Sequence, residues 1–173
     1  ELLELSKKFG GDYSGIYYAF MMLLAKAKGK ERFCDDTPKH LYYISEIISL
    51  FPEAKIIGCI RDPRDFLCSY KNYWKRSTES KRIKSLYHPI TTSLLWRSSI
   101  NLLLSQRNLS NNIQIIKYED LVTSPERIVR DICDFLGLPF IPKMLFINSS
   151  NSSFDEEAAM KGIYSSSVGR WPD

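Results

Sequence analysis

Lys55-Ile56-Ile57-Gly58-Cys59-Ile60-Arg61-Asp62-Pro63-Arg64-Asp65-Phe66-Leu67-Cys68-Ser69-Tyr70 changes character at its midpoint. Ile56 to Ile60 is a β-branched and apolar run, which predicts a strand buried on both faces. Asp62 is a good helix cap, and Pro63 suits the first helical position, where its missing N–H costs nothing. Asp65 adds negative charge to the first turn. Phe66, Leu67, Tyr70 and Tyr73 supply an apolar side to the helix that follows. The reading is strand, tight turn, helix, with Arg61 at the strand's carboxyl end. In open α/β sheets that edge is where ligands bind. An arginine there can fork onto a phosphate, and the first N–H groups of the helix favour anions. Ser69, two helical turns on, can add a hydroxyl. The competing reading pairs Arg61 with Asp62 or Asp65 alone and leaves Ser69 as a packing residue.

Upstream, Glu1 to Phe9 has helical periodicity and stops at Gly10-Gly11. Asp12 caps a second helix with Ile16, Ala19, Phe20, Leu23 and Leu24 on its inner face, ending near Gly29. Arg32 to Cys34 reads as a short strand. Pro38 opens a helix with Leu41, Ile44, Ile47, Ile48 and Phe51, which Pro52 ends. Downstream, Arg76 to His88 is polar and basic without a period, so it reads as a surface loop, either one that covers a substrate or a plain solvated loop. Ile90 to Leu109 is a long helix. Ile113 to Lys117 is a second strand, followed by Tyr118-Glu119-Asp120-Leu121. Ser124 and Pro125 begin a helix that Gly137 closes. Asn148 to Ser153 is an exposed linker, and Ile163 to Asp173 has no regular pattern. Strands alternating with helices imply βαβ units and a parallel sheet.

With 173 residues the chain can bury one core, so a single domain over 1–173 is expected, helical over 1–30 with the core and a C-terminal segment from 31 onward. A net charge of +4 suits an anionic small ligand and is too weak to argue for nucleic acid. Cys34, Cys59, Cys68 and Cys133 lack metal-ligand spacing, and no metal is expected. Cys59 and Cys133 read as small core residues. The longest apolar run, Tyr17 to Ala25, is too short to span a bilayer. The chain opens without methionine, inside a helical pattern, so an N-terminally truncated domain is expected.

Four segments, in order, resemble the sulfotransferase family of the bacterial and Golgi type. They are Asp36-Thr37-Pro38-Lys39-His40-Leu41; Phe51-Pro52-Glu53-Ala54-Lys55-Ile56-Ile57 with Arg61-Asp62-Pro63-Arg64-Asp65 and Ser69-Tyr70; Tyr118-Glu119-Asp120-Leu121 with Pro125-Glu126 and Asp134-Phe135-Leu136-Gly137-Leu138; and Ser167-Val168-Gly169-Arg170-Trp171. The resemblance covers Arg32 to Asp173. It implies an α/β, P-loop-NTPase-like three-layer domain with a central parallel sheet flanked by helices. It implies 3′-phosphoadenosine 5′-phosphosulfate (PAPS) as donor and adenosine 3′,5′-bisphosphate as product. Carried over, Arg61 and Ser69 bind the 3′-phosphate and Tyr118 borders the adenine, with a core tyrosine the alternative. Ser166, Ser167 and Gly169 lie in a loop closing over that phosphate, and Arg170 is a further contact. Trp96 sits where the family places a tryptophan; core packing is the expected job.

Three departures weigh against simple transfer. The family opens with a strand and a Gly/Ser/Thr loop that cradles the phosphosulfate; Gly10-Gly11-Asp12 and Ser14-Gly15 lie between helices instead. On the enzyme reading the loop lies upstream of Glu1. The family's catalytic lysine falls at Asp36, and a carboxylate there repels developing negative charge. Lys39, one turn on, is the replacement candidate. The family's base is a histidine next to its catalytic lysine, or a glutamate just after the missing loop; the histidine aligns with Pro38, leaving nearby His40 as the candidate, with a structural histidine capping the turn the alternative. The enzyme reading is a sulfotransferase acting on a small-molecule, carbohydrate or protein acceptor through a hydroxyl or amine. A non-catalytic module keeping only the 3′-phosphate subsite is the alternative, and a kinase-like domain ranks last for want of a Gly-x-x-x-x-Gly-Lys-Ser/Thr loop. A cytoplasmic location is expected, with the Golgi lumen the alternative. Three Asn-x-Ser sites, at Asn108, Asn148 and Asn151, matter only in the second case.

Overall fold

The structure is a computed structural model that describes residues 1–71, 88–108 and 110–146. The expectations for Tyr73, for residues 76–87, for the Asn148–Ser153 tract and for the tail from Ile163 lie outside the described residues. The chain divides into two compact units, Glu1–Ala54 and Lys55–Asp173. No described helix is long and apolar enough to cross a membrane.

In the first unit, α1 (Leu2–Lys7) packs against α2 (Tyr13–Ala27). The chain reverses between them at Gly10 and Gly11, whose φ values of 98° and 70° lie in the left-handed region. Asp12 caps α2 as expected, its Oδ1 accepting from the Gly15 N–H at 2.8 Å. Gly15 itself presses on the end of α1: a Cβ there would stand 2.5 Å from the Phe9 carbonyl oxygen. Residues 32–34 form no strand, contrary to expectation. Phe33 is held instead by ring contacts, 5.4 Å from Tyr18 and 6.4 Å from Tyr17 between centroids. An apolar residue in a three-residue run can satisfy itself by ring packing and needs no ladder. The helix expected from Pro38 is split into a 3₁₀ helix (Pro38–Tyr43) and α3 (Ile44–Leu50). The paired aromatics Tyr42-Tyr43, of only middling α propensity, lie at the junction of the two.

The second unit carries the sheet. β1 (Ile56–Ile60) and β2 (Ile113–Lys117) run parallel, with Ile56 opposite Ile113 and Ile60 opposite Lys117. α4 (Pro63–Lys71) follows β1 at once. α5 (Pro89–Arg107) leads back to β2, which runs directly into α6 (Tyr118–Thr123) and then α7 (Pro125–Leu136). A second 3₁₀ helix, Pro142–Leu145, comes last among the described residues. Side chains alternate across a strand, so Ile56, Gly58 and Ile60 share a face with Ile113 and Ile115. α5 covers that face: a Cβ on Gly58 would meet the Leu103 methyls at 2.5 and 2.9 Å. α7 covers the other, where the Gln114 amide donates to the Asp131 carbonyl at 3.5 Å and Lys55 lies over the Phe135 ring at 5.2 Å. The result is the expected three-layer arrangement of helix, parallel sheet and helix.

One expectation about β1 changes. It is not buried on both faces: Ile57 is 38% exposed and Cys59 is exposed. Both point to the side that α7 covers only opposite β2. Cys59 is therefore no core residue, whereas Cys133, on the inner face of α7, is buried. All four cysteines are free thiols. Gly137 ends α7 in the left-handed region, at φ 63°, and lets the Leu138 N–H reach back to the Cys133 carbonyl at 2.8 Å.

Candidate functional site

Parallel pairing brings the carboxyl ends of β1 and β2 to one edge. Arg61 follows β1 and Tyr118 follows β2, so the register that sets Ile60 beside Lys117 sets these two together. The Arg61 guanidinium lies over the Tyr118 ring, 4.8 Å from its centroid. Both residues are half-buried. A cation on an aromatic face is attracted by the ring quadrupole. The peptide after Arg61 is also held. The Trp96 Nε1–H of α5 donates to the Arg61 carbonyl at 3.2 Å, and the Asp62 N–H donates to Glu119 Oε1 at 2.8 Å.

The start of α4 differs from what its residues suggest in isolation. Asp62 pairs with Arg64, not with Arg61. Its carboxylate accepts from the Arg64 backbone N–H at 2.8 Å and from the Arg64 guanidinium at 2.7 and 3.0 Å. These bonds, led by the guanidinium, hold the Asp62 carboxyl down to about 2. The N–H groups expected to receive an anion are thus taken by protein carboxylates: Asp62's by Glu119, Arg64's by Asp62. Pro63 has none to offer. Ser69 lies half-buried further along α4, and Asp65, in the first turn, is buried.

Lys39 and His40 stand in the first unit, on the 3₁₀ helix. Lys39 is exposed and His40 half-buried. The organising acid is Asp35, which motif matching passed over for Asp36. Asp35 accepts from the Tyr17 hydroxyl at 2.5 Å and from the Thr37 hydroxyl at 2.6 Å, and His40 Nδ1 lies 3.7 Å away. The Thr37 bond first, then the Tyr17 bond, lower the Asp35 carboxyl. Burial first, then the bond to Asp35, push the Tyr17 phenol up to about 12. Ser166, Ser167, Gly169 and Arg170 lie outside the described residues. A cavity of about 550 Å³ opens between α1 and α2, floored by Leu5, Phe9, Met22 and Leu23. It holds none of the candidate residues.

Sequence reading missed Glu119, Asp35 and Tyr17 and gave Trp96 to the core. The available signal for Glu119 was its place, two residues past the end of a strand beside Tyr118. Nothing local marks Trp96 as a donor to Arg61, because the two are 35 residues apart.

This is a parallel α/β unit that presents a cation on an aromatic face at the ligand edge of its sheet. The sequence profile described as the Sulfotransferase family matches residues 8–142. Sulfotransferase 2A6 of Rattus norvegicus is 33% identical over 142 residues, covering 76% of this chain and 48% of the relative. The 3-beta-hydroxysteroid sulfotransferase of Cavia porcellus is 28% identical over 139 residues, covering 76% of this chain and 47% of its own. A solved structure, the Sulfotransferase Domain from the Curacin Biosynthetic Pathway, superposes with a TM-score of 0.60 over 86% of this chain and 53% of that one, at 22% identity, and supports the fold. The chain belongs to the sulfotransferase family. It spans about half the length of the curated relatives it matches.

Proposed function

We propose that the protein transfers a sulfuryl group from PAPS to a hydroxyl or amine acceptor. The observation that carries this is Arg61, laid on Tyr118 at the shared carboxyl edge of β1 and β2. A half-buried guanidinium at the carboxyl edge of a parallel sheet is suited to a doubly charged ester. It can form a two-pronged, charge-assisted contact. Ser69 adds a hydroxyl, and the Tyr118 ring offers an apolar wall for a base. These residues suit a 3′-phosphate and its adenosine. When bound, the nucleotide supplies an activated sulfuryl group and a good leaving group.

The chain's own part is to bind, orient and move a proton. His40 is the base in this reading. The Asp35 carboxylate faces Nδ1 and favours the proton there, which leaves the Nε2 lone pair open to an acceptor. Lys39 supplies positive charge in place of the lysine that Asp36 replaces. The name of the Cavia porcellus relative makes a hydroxysteroid a reasonable first acceptor to try.

Calorimetric titration with adenosine 3′,5′-bisphosphate tests the reading. Arg61→Ala should weaken binding about 10- to 100-fold, the worth of a hydrogen-bonded charge pair. Equal affinity in wild type and variant removes it.

A further inference from the structure

The peptide unit that joins Arg61 to Asp62 is gripped at both polar ends by side chains distant in sequence. Its carbonyl oxygen accepts from Trp96 Nε1 at 3.2 Å, and its N–H donates to Glu119 Oε1 at 2.8 Å. The strand ladder stops one residue earlier, where Ile60 faces Lys117. The ladder does not extend to this peptide, so these two bonds fix the backbone beside the Cα from which the Arg61 side chain reaches Tyr118. Trp96 and Glu119 are both half-buried, so water competes weakly for these bonds. Glu119 also adjoins Tyr118 in the chain. One dipeptide therefore takes Arg61 by its side chain and by the amide that follows it, while α5 takes the carbonyl.

Resting on the reading of Arg61 as the phosphate ligand, we propose that Glu119 and Trp96 are positioning residues. They clamp the Arg61–Asp62 peptide and hold the guanidinium over Tyr118 before any anion arrives. A carboxylate so close to a phosphate site would otherwise be a cost; here it is turned onto a backbone amide. Prior ordering lowers the entropy lost on binding.

Glu119→Gln keeps an acceptor oxygen and Glu119→Ala removes it. Two readouts separate the clamp from the nucleotide reading: hydrogen exchange at the Asp62 amide in the free protein, and calorimetric affinity for adenosine 3′,5′-bisphosphate. In Glu119→Ala the Asp62 amide should exchange about tenfold faster and affinity should fall about tenfold, while Glu119→Gln stays within about threefold on both. Unchanged Asp62 exchange in Glu119→Ala overturns the clamp. Faster exchange with unchanged affinity overturns its positioning role. If the wild-type protein itself binds no bisphosphate, the nucleotide reading falls and the exchange result alone decides the clamp. Should Glu119→Ala not fold, Trp96→Phe deletes the other contact. It should cost about threefold in affinity, and no loss there overturns the proposal.

Discussion

Asp62 shows how one side chain sorts two arginines. Lying next to Arg61 in the chain, it bonds instead to Arg64, both at the backbone and at the guanidinium. Arg61 lies over Tyr118 instead. The bond between Asp62 and Arg64 also has a pH signature. The Asp62 carboxyl sits at about 2 in the folded chain against an ordinary value of 3.8. A folded value below the unfolded one means the bond stabilises the fold above about pH 4, and that this is lost as pH falls toward 2. Arg64 is half exposed, so solvent screening keeps the effect small. Melting temperatures of wild type and Asp62→Asn should converge as pH drops through this window; a constant gap would show that the carboxylate charge is not involved. Asp62 is legible in sequence as a cap, because capping is local. Its guanidinium partner is not, because Arg61 and Arg64 are both within reach and only packing chooses.

Two glycines decide how closely elements approach. Gly15 lets α2 meet the end of α1, and Gly58 lets α5 lie on β1. The obstacles differ in kind. A methyl on Gly15 would strike backbone oxygens of Phe9 at 2.5 Å and Ser6 at 3.0 Å; one on Gly58 would strike the Leu103 methyls. Leu103 can turn its side chain, whereas α1 must move as a whole. Gly58→Ala should therefore cost about 1 kcal/mol and Gly15→Ala about 2, even after about 1 kcal/mol is regained from helix propensity. Urea unfolding midpoints rank the two, and the reverse order would sink the explanation. The α7 helix, with its Gly137 stop, and both strands are readable from periodicity and turn chemistry. The 32–34 run is not, because three residues cannot say whether Phe33 will pair in a ladder or stack on Tyr18.

Across the molecule, the cysteines report burial in graded steps. Cys34 and Cys59 are exposed, Cys68 is half-buried and Cys133 is buried. Local desolvation, and then the Glu119 charge, push the Cys59 thiol up, so it reacts more slowly than its exposure suggests. Thiol titration of the native protein should find Cys34 first, Cys59 and Cys68 later, and Cys133 only on unfolding. Early reaction of Cys133 would contradict the packing of α7 on the sheet.

Order along the chain was enough to establish two parallel strands, the helices between them, and an arginine at a strand's carboxyl end. Periodicity, caps and turn residues act over a few positions, and those features need no more. The family likeness of the motifs was equally visible there. Which groups surround the arginine was settled by the fold. Tyr118 beneath it, and Trp96 and Glu119 on its peptide, depend on strand register and helix docking, which join residues 35 to 57 positions apart. Contacts over such separations leave no local pattern, because they form only when the sheet and its covering helices bury their apolar faces together.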